Sequence, residues 1–273
     1  MDIRHEKRKP DILKFPHDLI KGVGLLLLLL EVLKQLYLYF IVFDGHYNVW
    51  YLPFQLCSMP MYMCLIYAAL LKAELKRGGA PGEEAGLALV KIGRGDKVHK
   101  EAGTRSKASK ARDLGRVLAL FMQNFGILGG VAALIVHEGF TWPQHLLLTA
   151  HGYVWHILLI ALGLYIWRMG LSDMSLRGYL KSLALFLFCA ALAELINISL
   201  RGYGDCDMFY ISPYHLSSQP VFRDIDAIVG RPLGIVIYLL CVMAGAGLIH
   251  SLLFWLKGSG SNLSGSSKTF KTN

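Results

Sequence analysis

The sequence predicts an all-α integral membrane protein: a single bundle of six transmembrane helices with both termini in the cytoplasm. Three observations carry this. Six apolar runs each reach the roughly 20 residues that cross a hydrocarbon core about 30 Å thick. Hydrophobic residues make up 54% of the 273 residues and charged ones only 17%, less charge than a soluble domain of this size carries. Lys and Arg gather beside alternate runs, the pattern that sets membrane orientation.

The elements follow in order. Residues 1–20 form a basic cytoplasmic segment holding Arg4, Lys7, Arg8, Lys9 and Lys14, with Lys21 at its edge. The transmembrane domain occupies 21–256, with runs at 21–43, 49–71, 115–136, 145–167, 179–200 and 232–256. The connection 72–114 carries eleven Lys and Arg, whereas those after the first and third runs carry none. The bias places this connection and both termini inside. Within it, 73–113 is rich in Gly, Ala, Lys and Arg around the break GGAPGEE, and reads as a mobile solvated tether with room for one short helix rather than a lipid-binding patch. The tail 257–273, KGSGSNLSGSSKTFKTN, reads as flexible. The fifth connection, 201–231, is long, aromatic and proline-bearing. Such a segment either folds over the bundle as a re-entrant cap or forms an interfacial aromatic belt.

Composition also excludes. A formal charge of +9 invites nucleic-acid binding, but its placement between spans assigns it to orientation and anionic lipid. Five cysteines, an odd number with no CxxC, give neither a disulfide framework nor a zinc knuckle. No cofactor or metal motif is evident. No cleavable signal is expected, because the first run is too long for one. The two halves share no matching polar or Gly/Pro pattern, so the inverted repeat of many transporters is weak.

Polar residues inside apolar runs are costly and mark function or helix glue. At 1.5 Å per residue, Gln55 and Cys57 fall roughly 9–12 Å below the outer boundary and His151 about 9 Å below it. His156 falls near the midplane, and Glu194 roughly 9 Å below the outer end of the fifth run with Asn197 above it. Glu31 and Lys34, three residues apart in the first run beside Gln35, can pair on one face. Glu194, Asn197 and Arg201 form one climbing stripe. Turned outward, each group would cost several kcal/mol, so the layer is expected to line a shared cavity. Tyr214, His215, Ser217 and Gln219 of the last loop would sit above it. His151 and His156 lie about 140° apart around a helix, a poor metal pair. Gln123 and Asn124 read as glue between helices.

The stretch LPFQLCSM at the second run, the triplet Ala150–His151–Gly152 at the fourth, and the SPY and QP elements of the last loop resemble the YwaF-type integral membrane proteins, six-span and mostly bacterial. The likeness covers about 20–255. That family is distantly similar to an ether-phospholipid acyltransferase group and to the androgen-induced-gene membrane hydrolases. The resemblance implies a bacterial cell membrane, Cys57 as nucleophile and His151 as base. It implies an acyltransferase or hydrolase whose partner is a phospholipid or other acyl lipid. Gln55, Glu194, Asn197, His156, Tyr214 and His215 are then the supporting candidates. The rival readings are a transporter using Glu31, Lys34, His156, Glu194 and Arg201, and a membrane protein without turnover.

Overall fold

The computed structural model describes the backbone over 10–76 and 102–266 and side chains over 16–73 and 110–257. Its helices are α1 (Pro10–Tyr37), α2 (Met59–Lys76), α3 (Ala102–Ile135), α4 (Leu146–Met169), α5 (Leu176–Leu200), α6 (Pro220–Val229) and α7 (Arg231–Ser266). The described residues contain no strand. All but α6 are long and apolar enough to cross a membrane.

The third span is the axis. Its helix α3 packs against α2, α4, α5 and α7, while α1 leans on α2 and α4. Of the apolar window of α3, 61% is buried, against 17% for α1 and α7, so the outer helices give most of their surface to lipid. Two glycines let α3 and α4 approach to backbone distance. A Cβ on Gly130 would stand 2.8 Å from the His156 carbonyl, and one on Gly163 2.9 Å from that of Gln123. Small residues at facing positions give membrane helices their van der Waals contact. Along the axis Phe121, Phe125, Phe186 and Phe209 stack in series, with centroids 4.7, 4.9 and 6.1 Å apart. The series joins α3 to α5 and then to the segment after α5.

That segment enters the bundle. Cys206, Met208, Phe209 and Ile211 belong to the same buried core as Phe121 and Phe186. We call this segment, 201–219, the lid, and the end it enters, where α1 meets α2, the lid end. Downstream, α6 is a short helix with Pro220 in its first turn and Gly230 after it. Proline is preformed for a helix start and glycine for the stop.

Three expected boundaries move. The second run was expected helical from 49, yet α2 begins at Met59. Leu52, before Pro53, is extended (φ −52°, ψ 132°), as a residue preceding proline prefers, so 49–58 forms two 3₁₀ turns instead. The expected tether at 73–113 is helical at both ends, because the Ala-, Lys- and Arg-rich 102–114 favours helix; residues 77–101 lie outside the described ones. The tail continues α7 to Ser266, since extending a formed helix costs far less than starting one; 267–273 lie outside the described residues.

Candidate functional site

The irregular turn before α2 places Cys57. Non-helical backbone survives at membrane depth only where protein covers it, and here α4 does so: the Trp155 indole N–H donates to the Cys57 carbonyl at 3.1 Å. Leu27, Met61, Trp155 and Leu159 form a small buried cluster against which Cys57 packs.

His151 lies one turn before Trp155 on α4, and the two rings stack at 5.5 Å and 28°. Trp155 thus touches both residues, bonding the backbone of one and covering the ring of the other. The backbone of Leu30 in α1 lies within hydrogen-bonding reach of the His151 ring. Its Nε2 is buried with no hydrogen-bond partner among the described residues.

The charges that reach this pair come from α1. Lys34 Nζ stands 2.8 Å from Glu31 Oε1, and Glu31 is only 4% exposed. Gln35 completes the cluster, its amide N–H donating to Glu31 Oε1 at 2.7 Å and to the Tyr51 carbonyl at 2.6 Å. The helix that carries this pair, α1, packs against both α2 and α4. A half-buried thiol and an imidazole with a free nitrogen therefore flank Trp155, beside a helix that carries a buried ion pair. Such a set can move a proton between sulfur and an oxygen of a bound ester.

The other candidates go elsewhere. Gln55 is spent on the lid: its amide donates to the Asp207 carbonyl and its Oε1 accepts from Phe209 N–H, both at 2.9 Å. Asn197 does the same from α5, accepting from Met208 N–H at 2.6 Å and donating to the Met208 carbonyl at 3.1 Å. Glu194 lies beside Asn197, whose amide donates to it at 3.4 Å. Gln55 and Asn197 thus hold the lid, and Glu194 is tied to it through Asn197. His156 is buried, with Nδ1 2.7 Å from the Gly152 carbonyl and its ring on Phe140 at 5.0 Å. Tyr214 is exposed under Arg201, whose guanidinium sits 5.4 Å from the ring centroid. His215 keeps a buried Nε2 without a partner among the described residues. Gln123 and Asn124 tie α3 to Ser172 and His250, at 2.7 and 3.3 Å.

The sequence reading missed the lid's own frame. Arg231 opens α7, buried, and donates to the Ser212 carbonyl (2.7 Å), the Tyr210 carbonyl (2.9 Å) and Asp226 Oδ2 (2.6 Å). Asp207 Oδ1 lies 3.7 Å from the same guanidinium and accepts from Ser212 N–H at 2.8 Å. Phe209 and Tyr210 adopt φ of 58° and 59°, a left-handed conformation that non-glycine residues hold only when surroundings enforce it. Gln55, Asn197 and Arg231 are those surroundings. The available signal was chemical: four aspartates (Asp205, Asp207, Asp224, Asp226) and three arginines (Arg201, Arg223, Arg231) in an otherwise largely apolar loop.

Burial raises the Asp207 carboxyl above its ordinary 3.8, and the Ser212 N–H and the nearby His215 and Arg231 charges only partly offset this. A carboxyl raised in the folded state binds its proton more tightly there. It therefore contributes stability below its ordinary value, and loses it as pH rises through the folded one. The melting temperature of the wild-type protein should fall over that rise more than that of Asp207→Asn, which keeps the acceptor for Ser212. Parallel curves for the two proteins would refute the assignment.

A family model described as the TMEM164 family matches residues 4–255. The chain therefore belongs to the TMEM164 family, and with its six apolar helices it is an integral membrane protein. No curated protein and no solved structure matches it.

Proposed function

We propose that this TMEM164-family protein is a membrane-embedded acyl-transfer enzyme acting on lipid acyl esters through Cys57 and His151. One observation carries the reading: Trp155 holds the Cys57 turn and the His151 ring together beside the buried Glu31–Lys34 pair. The motif resemblance to YwaF-type proteins, and through them to the ether-phospholipid acyltransferases and the androgen-induced-gene hydrolases, supports the same two roles.

In the first half-reaction Cys57 Sγ attacks the ester carbonyl carbon, and its proton passes to His151. The carbon–sulfur bond forms, the carbon–oxygen bond breaks, and the leaving alkoxide takes the proton back from His151. In the second half-reaction a lipid hydroxyl, or water, attacks the thioester. Its proton goes to His151 and on to the departing sulfur. Transfer to a lipid gives an acyltransferase, and transfer to water a hydrolase. Gln55 is committed to the lid, so the oxyanion falls to the groups around the sulfur, the Ser58 hydroxyl and nearby backbone amides. Because the basic connection follows α2, at the opposite end, the site faces the non-cytoplasmic leaflet.

The intermediate is the direct test. Protein reconstituted in phosphatidylcholine vesicles should carry an acyl mass on the Cys57 peptide that neutral hydroxylamine removes. A hydroxylamine-stable adduct, or an equal adduct on Cys57→Ala protein, would defeat the proposal.

A further inference from the structure

Two cavities of opposite character meet at Tyr47. One is a groove of about 490 Å³ between α1 and the start of α2, walled by Leu28, Val32 and Leu36 on one side and by Met61 and Tyr62 on the other. Glu31 and Gln35 lie on its α1 wall. The second, about 460 Å³, lies at the lid end and is lined by His46, Asn48, Trp50, Tyr203 and Asp205. Tyr47 lines both.

The groove wall is one face of α1, where Leu28, Val32 and Leu36 follow at intervals of four, continued by Phe40 in the π-helical turn Leu38–Val42. All four are exposed, so the groove opens sideways to lipid. A small polar solute matches the second cavity alone and a free hydrocarbon chain the first alone. A molecule with a polar head and a chain matches both, standing along the membrane normal. The groove also leads to the reaction centre: Met61, on its wall, belongs to the cluster against which Cys57 packs.

We propose that one glycerophospholipid binds across both cavities, its head group in the lid-end pocket and one acyl chain in the groove. The described lining of the pocket offers the Asp205 carboxylate and the rings of Phe43, Tyr47, Trp50 and Tyr203, with no Lys or Arg. Acidic and aromatic groups together favour an ammonium-bearing head over a net-negative one. That this bound chain is the one transferred rests on the proposed function, whereas the seat itself does not.

The test uses the full chain in phosphatidylglycerol nanodiscs containing a small share of phosphatidylcholine with a photoactivatable diazirine on its chain. Labelled peptides are mapped by mass spectrometry. Labels should concentrate on 28–40 and on Met61–Tyr62, and Val32→Trp or Leu36→Phe should cut them about tenfold. Labels on the exposed Leu248 and Phe254 of α7 should not change. Excess unlabelled phosphatidylcholine should compete, and excess phosphatidylglycerol much less. Equal labelling of α1 and α7, unmoved by either substitution, would leave only annular lipid and overturn the seat. Equal competition would overturn the head-group assignment. Groove labelling should persist in Cys57→Ala protein. Labelling without any thioester then refutes the enzyme and spares the seat, and a thioester without groove labelling does the reverse.

Discussion

Cys57→Ala protein is expected to fold, insert and bind lipid but to transfer no acyl group, and His151→Ala protein to lose about 10²- to 10⁴-fold in rate. The two losses differ for a physical reason. Without sulfur no thioester forms, and every later step is blocked. Without the imidazole the thiol still stands in place, but no base takes its proton. The folded state should survive both changes. Cys57 lies in a turn held by its carbonyl bond to Trp155 and by Gln55 two residues earlier, not by the thiol. His151 keeps one buried nitrogen unpaired, so its removal relieves a desolvated group. The measurement is release and transfer of a labelled acyl chain in vesicles, with melting temperature as the control for folding. A double variant should be no worse than Cys57→Ala alone, because residues acting as one unit are not additive. Full transfer by Cys57→Ala protein would remove the thiol from the mechanism.

Glu31 and Lys34 separate this reading from transport. A carrier for an anion or proton needs its charged groups to meet a path continuing toward the opposite end. Here the pair is closed on itself at 2.8 Å and covered by Gln35. The polar residues deeper in the bundle, Gln123 and Asn124, are bonded to Ser172 and His250 as ties between elements. Among the described residues, the ion pair near the lid end and these ties farther down are thus separate sets, each bonded within itself.

How much of this was legible beforehand depends on the kind of information. The six helices follow from run length alone, since a bilayer demands it, and each expected run falls on an observed helix. That Cys57 and His151 stand near the starts of their runs was likewise readable from the sequence. Which polar group meets which was not. Glu194 and Asn197 were expected in the layer of His151, but depth does not fix azimuth, and Asn197 bonds the lid instead. The second span's start was misread because hydropathy ignores Pro53, which forbids helix just before it. The short helix α6 was marked by Pro220 and Gly230, a start and a stop ten residues apart, and went unread inside what looked like a loop. Trp155 carried no special mark, because an indole in an apolar run resembles core.

Arg231→Met should destabilise the protein by about 3–5 kcal/mol, the largest loss expected from any single surface-preserving change. The guanidinium joins Asp226, Asp207 and the carbonyls of Tyr210 and Ser212. Its removal leaves carboxylates in a site that water does not reach, and frees the two left-handed residues from one of their three restraints. The lid would then leave the bundle, carrying Phe209 off the aromatic series and Gln55 off its partners. Because Gln55 stands two residues from Cys57, acyl transfer should fall with it. Arg231→Lys should lose less, keeping the charge while forfeiting the fork that reaches several acceptors at once. Replacing the pair together, Arg231→Met with Asp226→Leu, should recover part of the loss, since a buried ion pair exchanged for apolar groups is often close to neutral. Thermal unfolding in detergent and protease cleavage within 204–219 would read both effects. If Arg231→Met melts within about 1 kcal/mol of wild type and the lid stays resistant, the lid is held by its buried Met208 and Phe209 side chains alone, and the polar frame adds order without strength.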